Sequence, residues 1–186
     1  MPKVFCIGLN KTGTSSLHAA LMRLGFSSHH GPSGAHLIRR SLREGKAMFH
    51  YFKRDFDAYS DLEVLTINFE MAEKQYPECQ FILTQRDLDS WLDSRQRHVE
   101  RNIRRKAEGR YRRRWLIVDR EAWTREWQSH HEKVIRYFQD KPGKLLVMNV
   151  LRGDGYAVLC PFVGKAIPNE PFPWKNQRKL TDTPNA

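Results

Sequence analysis

The chain has 186 residues, of which 40% are hydrophobic and 28% are charged, and its formal net charge is +11. This composition excludes an intrinsically disordered chain. The sequence contains no run of roughly eighteen apolar residues, so it predicts no membrane span. The length predicts one domain over residues 1–186, and the excess of Lys and Arg requires an anionic partner such as nucleic acid, an acidic polysaccharide, a membrane surface or a phosphorylated nucleotide.

Three widely spaced cysteines, Cys6, Cys79 and Cys160, stand among apolar residues. Their odd number and their spacing favour reduced, buried thiols in a cytoplasmic protein, and no Cys/His cluster has the spacing of a zinc site. The amino terminus leads directly into an apolar run, so the sequence predicts no signal peptide.

Residues 4–24 predict a buried strand, a tight loop and a helix. Val4–Ile7 is a short apolar run rich in β-formers, and leucines at helical spacing follow the loop. The loop contains Gly8, Lys11, Gly13 and several hydroxyl side chains, at the point where the helix must begin. Free backbone N–H groups and the positive end of the helix dipole make this position an anion site.

The two glycines of this loop fit the G-x-x-x-x-G-K-[ST] pattern of nucleoside-triphosphate loops, but the match breaks at the lysine. Thr14 stands at the lysine position, and Lys11 precedes the second glycine. The later apolar run at residues 144–150 offers Asn149 where an aspartate would hold Mg²⁺. The loop therefore disfavours metal-dependent triphosphate chemistry. The alternative is a plain strand-to-helix turn with a solvated Lys11.

The next segment predicts a turn-rich loop at residues 25–34, followed by a helix over residues 35–46. His29 and His30 in that loop are weak catalytic candidates, because paired loop histidines are more often surface residues. The aromatic residues between Phe49 and Asp61 form either core or a pocket wall, and core is favoured.

A second buried strand is predicted at residues 80–85, after a helix over residues 69–76. Arg86 follows this strand directly. Since the carboxyl ends of parallel strands share one edge of a sheet, Arg86 is expected on the same edge as Lys11. Asp87 is predicted to cap the next helix, which carries Ser94 two turns further on.

Residues 95–114 are densely basic, with ten Lys and Arg residues against two glutamates. They form either a solvated helix face or a flank that attracts an anionic substrate or cofactor. A long amphipathic helix is predicted over residues 115–138, a third strand over residues 145–150, and a short helix before Gly164.

Three segments resemble the sulfotransferases that use 3′-phosphoadenosine 5′-phosphosulfate (PAPS). Lys11-Thr12-Gly13-Thr14-Ser15-Ser16-Leu17 is similar to the family's 5′-phosphosulfate loop, K-[ST]-G-T-[TS]-x-L. The strand at residues 81–84, with Arg86 and with Ser94 eight residues later, is similar to the 3′-phosphate motif. Segments between Gly153 and Asn176 resemble the closing part of a compact branch of the family.

The resemblance implies an α/β fold in three layers, with a central parallel sheet flanked by helices, related to the P-loop nucleotide kinases. It also implies metal-independent transfer of a sulfuryl group from PAPS to a hydroxyl or amine, with adenosine 3′,5′-bisphosphate (PAP) as product. Lys11 would be catalytic, binding the 5′-phosphate and stabilising the charge on the leaving phosphate. Thr12, Gly13, Thr14, Ser15 and Ser16 would supply amides and hydroxyls, and Arg86 with Ser94 would hold the 3′-phosphate. A sulfuryl group carries fewer negative charges than a phosphoryl group, so a lysine and backbone amides can suffice without Mg²⁺.

The general base departs from the family pattern. Many sulfotransferases place a histidine shortly before the 3′-phosphate strand, where this chain has Asp61. A carboxylate can also take the proton, so Asp61 is predicted as the catalytic base. Its alternative role is that of a turn or cap residue, in which case His29, His30 and His50 are the next candidates.

The family's Arg-Lys-Gly segment near the carboxyl terminus is also absent. Lys175, Arg178 or Lys179 would have to replace it at the 3′-phosphate.

Two other function classes stay open from the residues alone. One is a nucleic-acid-binding module built on residues 95–114, although that stretch lacks a recognisable reading motif. The other is a small-molecule kinase of related fold. The favoured partner is a small-molecule or carbohydrate acceptor, with no nucleic acid and no metal, and neither the acceptor's identity nor the oligomeric state follows from the sequence.

Overall fold

A computed structural model describes residues 2–111 and 115–175. At its centre is a five-stranded sheet with the order β2-β3-β1-β4-β5, in which all neighbouring strands run parallel. The strands are β1 Val4–Cys6, β2 Ser28–His30, β3 Ala58–Ser60, β4 Gln80–Thr84 and β5 Leu145–Met148.

Seven α-helices connect and cover these strands within the described ranges. They are α1 Thr14–Arg23, α2 Ala35–Arg43, α3 Glu63–Ile67, α4 Phe69–Gln75, α5 Leu88–Ala107, α6 Arg120–Phe138 and α7 Tyr156–Phe162. Among the described residues, no helix combines the length and the apolar character that a membrane crossing requires.

The sheet is buried on both faces, as parallel sheets usually are. Phe5 on β1 packs into one core with α2, α3, α4 and α6. Its neighbours Val4 and Cys6 face the opposite way, into a second core with α1 and α7. The predicted arrangement of three layers, with a parallel sheet between helices, is therefore confirmed.

Two of the five strands lie where the sequence analysis placed no strand. β2 falls inside the predicted loop at residues 25–34, and β3 ends the aromatic run. β2 is a three-residue edge strand of Ser and His that is only half-buried, so it carries no hydrophobic pattern. Its parallel pairing with β3, with His29 opposite Tyr59, defines it instead.

One long helix starts later than predicted. The helix α6 begins at Arg120 rather than at Trp115, because Asp119 caps it by accepting a hydrogen bond from the Ala122 N–H at 2.9 Å. Asp87 occupies the N-cap position of α5, as predicted, but its carboxylate makes no capping hydrogen bond. It forms an ion pair with Arg152 at 2.7 Å instead.

All three cysteines are buried free thiols, as predicted. Burial raises the pKa of Cys6 to about 11 and that of Cys79 to about 12. Both are therefore protonated and unreactive at neutral pH.

Candidate functional site

A large open cavity lies at the carboxyl edge of the sheet, where β1, β3 and β4 end. Its volume is about 2510 Å³, well above the roughly 300–1,000 Å³ of a typical small-molecule site. Its walls include the loop after β1, the ends of β3 and β4, and one face each of α5 and α6. The space is large enough for two substrates at once.

The loop between β1 and α1 is tied closely to the end of β4. The Thr12 hydroxyl donates to the Leu9 carbonyl at 2.5 Å, and the Thr84 hydroxyl of β4 lies 2.7 Å from the Thr12 oxygen. Gly8 permits this approach, since a Cβ there would lie 2.0 Å from the Thr84 Oγ1 atom. The buried Trp91 of α5 fixes the far side of the loop by donating its indole N–H to the Asn10 carbonyl at 2.7 Å.

This arrangement separates two kinds of loop residue. Thr12 is fully buried and its hydroxyl is used within the protein, so its side chain braces the loop. Lys11 and residues 13–16 line the cavity. Gly13 stands at the N-cap of α1 with a φ of 104°, and among the described residues no side chain caps that helix. The start of α1 thus has the backbone geometry of an anion site.

Arg86 lies beside this loop, as the shared strand edge predicted. Its Nη1 donates to the Lys11 carbonyl at 3.3 Å, and its Nε donates to the Ser90 hydroxyl at 2.7 Å. Ser94 stands one turn beyond Ser90 on the same face of α5 and also lines the cavity. Burial lowers the pKa of Arg86 and nearby Arg97 lowers it further, while Asp93 and Asp87 oppose the shift. The guanidinium is thus partly removed from water and lies near a second arginine.

Asp61 follows β3 and lines the same cavity as Lys11. Burial raises the pKa of its carboxyl group above the ordinary value, and the charge of Lys11 opposes that rise. The alternative role as a helix cap is wrong, because the N-cap residue of α3 is Leu62 and no side chain of the described residues caps this helix. The alternative as a turn residue agrees with the backbone of Asp61, whose φ is 56°.

Lys11 and Asp61 share an unusual backbone conformation. Their φ angles are 68° and 56°, and in the described part of the chain no other non-glycine residue has a positive φ. Each such residue costs on the order of 1–3 kcal/mol, and strained residues of this kind cluster at active sites. The two residues predicted as catalytic are thus the two that the fold holds under backbone strain.

The other histidine candidates have different surroundings. His29 packs against Phe52, Phe56 and Tyr59 and is absent from the cavity wall. His50 is exposed, with its ring edge against Tyr51.

His30 does reach the phosphosulfate-like loop. One of its ring nitrogens lies 3.1 Å from the Ser15 hydroxyl and the other lies 2.9 Å from the Ser60 hydroxyl. It therefore links the end of β3 to the start of α1.

Sequence reasoning missed two histidines that line the cavity, His98 and His130. His98 lies one turn beyond Ser94, so the helical spacing of α5 was a usable signal. Burial, followed by the charges of Lys11 and Arg101, lowers the pKa of His98 to about 4. His130 of α6 lies 2.7 Å from the Ile7 carbonyl, a contact that depends on helix packing and leaves no trace in the sequence.

The carboxyl-terminal segment also approaches the site. The Lys175 N–H donates to the Ser16 hydroxyl at 2.9 Å, and Lys175 lines the cavity. Of the three residues predicted to replace the missing basic segment, Arg178 and Lys179 lie outside the described residues. In the described ranges, no group of three or more His, Cys, Asp or Glu side chains could hold a metal ion.

Comparison with known protein families decides the identity. The model of the sulfotransferase domain matches residues 3–115 and 99–181, which together cover nearly the whole chain. The chain belongs to the sulfotransferase family. A search of curated protein sequences found no match to this sulfotransferase.

A solved structure supports the fold. The crystal structure of a sulfotransferase from Alicyclobacillus acidocaldarius is similar to this sulfotransferase with a TM-score of 0.57, over 97% of this chain and 87% of that one. The two sequences are 18% identical, so this likeness concerns the fold alone. The resemblance stated from the sequence and the predicted fold class are both confirmed.

Proposed function

We propose that this sulfotransferase uses PAPS as donor and transfers the sulfuryl group to a hydroxyl or amine of a small-molecule or carbohydrate acceptor, as a cytoplasmic, metal-independent enzyme. One observation carries the proposal. The ends of two adjacent strands bring the Lys11 loop and Arg86 together, with the Arg86 Nη1 atom 3.3 Å from the Lys11 carbonyl. Both elements line one cavity, which suits a ligand that carries two separate phosphate groups.

The donor's two anionic ends are divided between these elements. Lys11 binds the 5′-phosphate. Gly13, Thr14 and Ser15 contribute backbone N–H groups and Ser16 contributes its hydroxyl at the start of α1, because the Ser16 N–H donates to the Gly13 carbonyl. Thr12 contributes through its backbone, because its hydroxyl is bonded to the Leu9 carbonyl. Arg86 and Ser94 hold the 3′-phosphate, which takes no part in the reaction.

In the transfer step, Asp61 removes the proton from the acceptor hydroxyl or amine. The acceptor atom forms a bond to sulfur while the bond from sulfur to the 5′-phosphate oxygen breaks, so the products are the sulfated acceptor and PAP. The Lys11 ammonium stabilises the negative charge that develops on the departing phosphate oxygen. Asp61 and Lys11 line one cavity, so both can act on the same reacting atoms.

Asp61 is a better base than His98, the other titratable group close to Lys11. The Arg101 Nη2 atom lies 3.2 Å from the His98 Nδ1 atom, and a guanidinium can only donate. The Nδ1 lone pair is therefore occupied, and the ring carries its proton on Nε2. A pKa of about 4 also keeps His98 in this neutral form at neutral pH, whereas burial raises the pKa of Asp61 above its ordinary value.

The test is the binding of PAP in the presence of EDTA. A ligand at one hundred times its Kd stabilises a protein by about 2.7 kcal/mol, which raises the Tm of a chain of this size by roughly 5–11 °C. We expect such a rise with PAP and a smaller one with adenosine 5′-phosphate. No shift at millimolar PAP would contradict the proposal.

A screen of acceptors with labelled PAPS would then identify the substrate. Two other outcomes would redirect the assignment. Salt-dependent oligonucleotide binding without affinity for PAP would favour a nucleic-acid-binding module. ATP turnover that requires Mg²⁺ would favour a kinase.

A further inference from the structure

The helix α5 presents two chemically different faces. One face is buried against α6 and the loop after β1, and it includes Trp91, Leu92 and Val99. The other face lines the cavity with side chains at helical spacing, which are Ser94, Arg97, His98, Glu100, Arg101, Arg104 and Arg105. At a rise of about 1.5 Å per residue, the arginines from 97 to 105 extend over roughly 12 Å of the cavity wall.

The basic residues between 95 and 114 therefore do not all belong to one exposed surface. Arg95 borders the cavity but is itself buried: it forms an ion pair with Glu126 at 2.6 Å and lies 4.9 Å from the rings of both Trp91 and Trp123. Arg95 stabilises the junction between α5 and α6. The exposed arginines of the cavity face need a different explanation.

The four cavity-facing arginines, 97, 101, 104 and 105, have no carboxylate within 4.0 Å among the described residues. Some arginines outside the cavity have such partners, such as Arg125 with Glu121 and Arg136 with Glu132. Four guanidinium groups without a carboxylate partner thus lie together on one face of α5, where a ligand would bind.

The donor alone does not balance the charge of this cavity. Of the described residues, eleven cationic side chains line it, against four carboxylates. A phosphomonoester carries about −1.5 to −2 at neutral pH, and the phosphosulfate anhydride adds one charge on each of its two groups, so PAPS carries about −4. Two of the eleven cations, Arg110 and Lys133, also pair with carboxylates outside the cavity, Glu108 and Glu70. About one positive charge therefore remains uncompensated after the donor is bound.

The unpaired arginines of α5 lie in two parts of the cavity. Arg97 is close enough to Arg86 to lower the pKa of its guanidinium, which places Arg97 beside the proposed 3′-phosphate site. Arg101 acts in the same way on Lys11, and Arg101 and Arg105 both act on His98. Arg101 and Arg105 therefore border the space near the reacting end of the donor, where the acceptor must lie.

We propose that the acceptor is itself an anion, and that Arg101 and Arg105 bind its carboxylate, sulfate or phosphate group while its hydroxyl or amine faces Asp61. Arginine suits this role because its planar fork binds each of these groups through two parallel hydrogen bonds. This inference rests on the proposed sulfotransferase reaction and adds the chemical class of its acceptor.

The experiment uses the full chain saturated with PAP, so that the donor arginines are occupied. Binding of three anionic probes, glucuronate, N-acetylglucosamine 6-sulfate and N-acetylglucosamine 6-phosphate, is compared with that of glucose and N-acetylglucosamine by titration calorimetry. At least one anionic probe should bind at least tenfold more tightly than its neutral counterpart. The preferred probe identifies which of the three groups the subsite selects.

Two double variants that lower the net charge by the same amount distinguish binding at a specific subsite from general electrostatic attraction to a positively charged protein. Arg101→Gln with Arg105→Gln should reduce the preference for the anionic probe at least tenfold, while PAP affinity changes less than threefold. Arg125→Gln with Arg136→Gln, on exposed positions of α6 outside the cavity, should keep the preference.

Equal binding of anionic and neutral probes, or equal losses in the two double variants, would overturn the inference. Displacement of the anionic probe by a single-stranded oligonucleotide that binds more tightly would also overturn it, in favour of a nucleic-acid surface. Failure of PAP itself to bind would overturn the proposed function, and this inference with it. PAP binding without any preference for an anion would overturn this inference alone.

Discussion

Replacing Lys11 with glycine separates the catalytic role of this residue from its structural role. Lys11 has a φ of 68°, a conformation that costs an L-residue roughly 1–2 kcal/mol and costs glycine almost nothing. Burial also lowers the pKa of the Lys11 ammonium, which shows that the folded state disfavours this charge. The substitution Lys11→Gly removes both costs together with the cation.

The expected magnitudes follow from these terms. Glycine also destabilises the folded state by about 0.5–1 kcal/mol relative to alanine, because it gives the unfolded chain more conformational freedom. Subtracting this from the roughly 1–2 kcal/mol of backbone strain that glycine relieves, Lys11→Gly should be more stable than Lys11→Ala by about 0–1.5 kcal/mol. For a chain of this size that is a Tm difference of roughly 0–6 °C. Loss of one group that stabilises transition-state charge should lower kcat by about 10²–10³-fold or more in both variants.

The assay follows transfer of labelled sulfuryl groups from PAPS to the acceptor that the screen identifies, alongside thermal unfolding. Lys11→Arg, which keeps a positive charge, serves as the control and should retain more turnover than either neutral variant. Near wild-type turnover in Lys11→Gly would refute the assignment of this loop. A glycine variant clearly less stable than the alanine variant would refute the argument from backbone strain.

Three further predictions concern Asp61, the pH profile and Gly8. Asp61→Asn should lower turnover about 10²-fold or more at nearly unchanged PAP affinity, and it should raise the Tm at neutral pH; retained turnover would remove Asp61 from the mechanism. The Tm should rise because folding raises the pKa of the Asp61 carboxyl, so the charged carboxylate destabilises the folded protein once the pH exceeds that raised pKa, and Asn carries no charge. Asn also tolerates a φ of 56°. Turnover should fall in acid with a midpoint above the ordinary Asp value and in alkali with a midpoint below the ordinary Lys value, since burial raises the pKa of Asp61 and lowers that of Lys11; an unchanged acid limb in Asp61→Asn would contradict the first assignment. Gly8→Ala should destabilise the protein by about 1–3 kcal/mol or more in thermal unfolding, because its Cβ would lie 2.4 Å from the Thr84 carbonyl oxygen and force two strands apart; an unchanged Tm would show that the loop tolerates the shift.

Much of this architecture is predictable because the strands that carry the site are apolar and the loops between them are short. The buried runs that contain β1 and β4 predict a parallel edge, and the carboxyl ends of parallel strands share that edge, which brings Lys11 and Arg86 together. Their observed proximity agrees with that reasoning. β5 is predicted on the same basis.

The parts that were not predicted depend on tertiary contacts. β2 is polar and three residues long, so only its pairing with β3 makes it a strand. The division of residues 95–114 between a buried Arg95 and a cavity face depends on where α6 packs, and the spacing of charges alone contains no such information. The hydroxyl of Thr12, expected at the donor, is instead bonded to the Leu9 carbonyl.

The measurement that tests the central claim most directly compares PAP with adenosine 5′-phosphate in the wild type and in Arg86→Gln. If Arg86 holds the 3′-phosphate, the wild type should prefer PAP by about 2–5 kcal/mol, and Arg86→Gln should lose most of that preference without weakening adenosine 5′-phosphate. Equal affinity of the wild type for the two nucleotides, or an equal loss for both in the variant, would contradict the division of a PAPS donor between the Lys11 loop and Arg86.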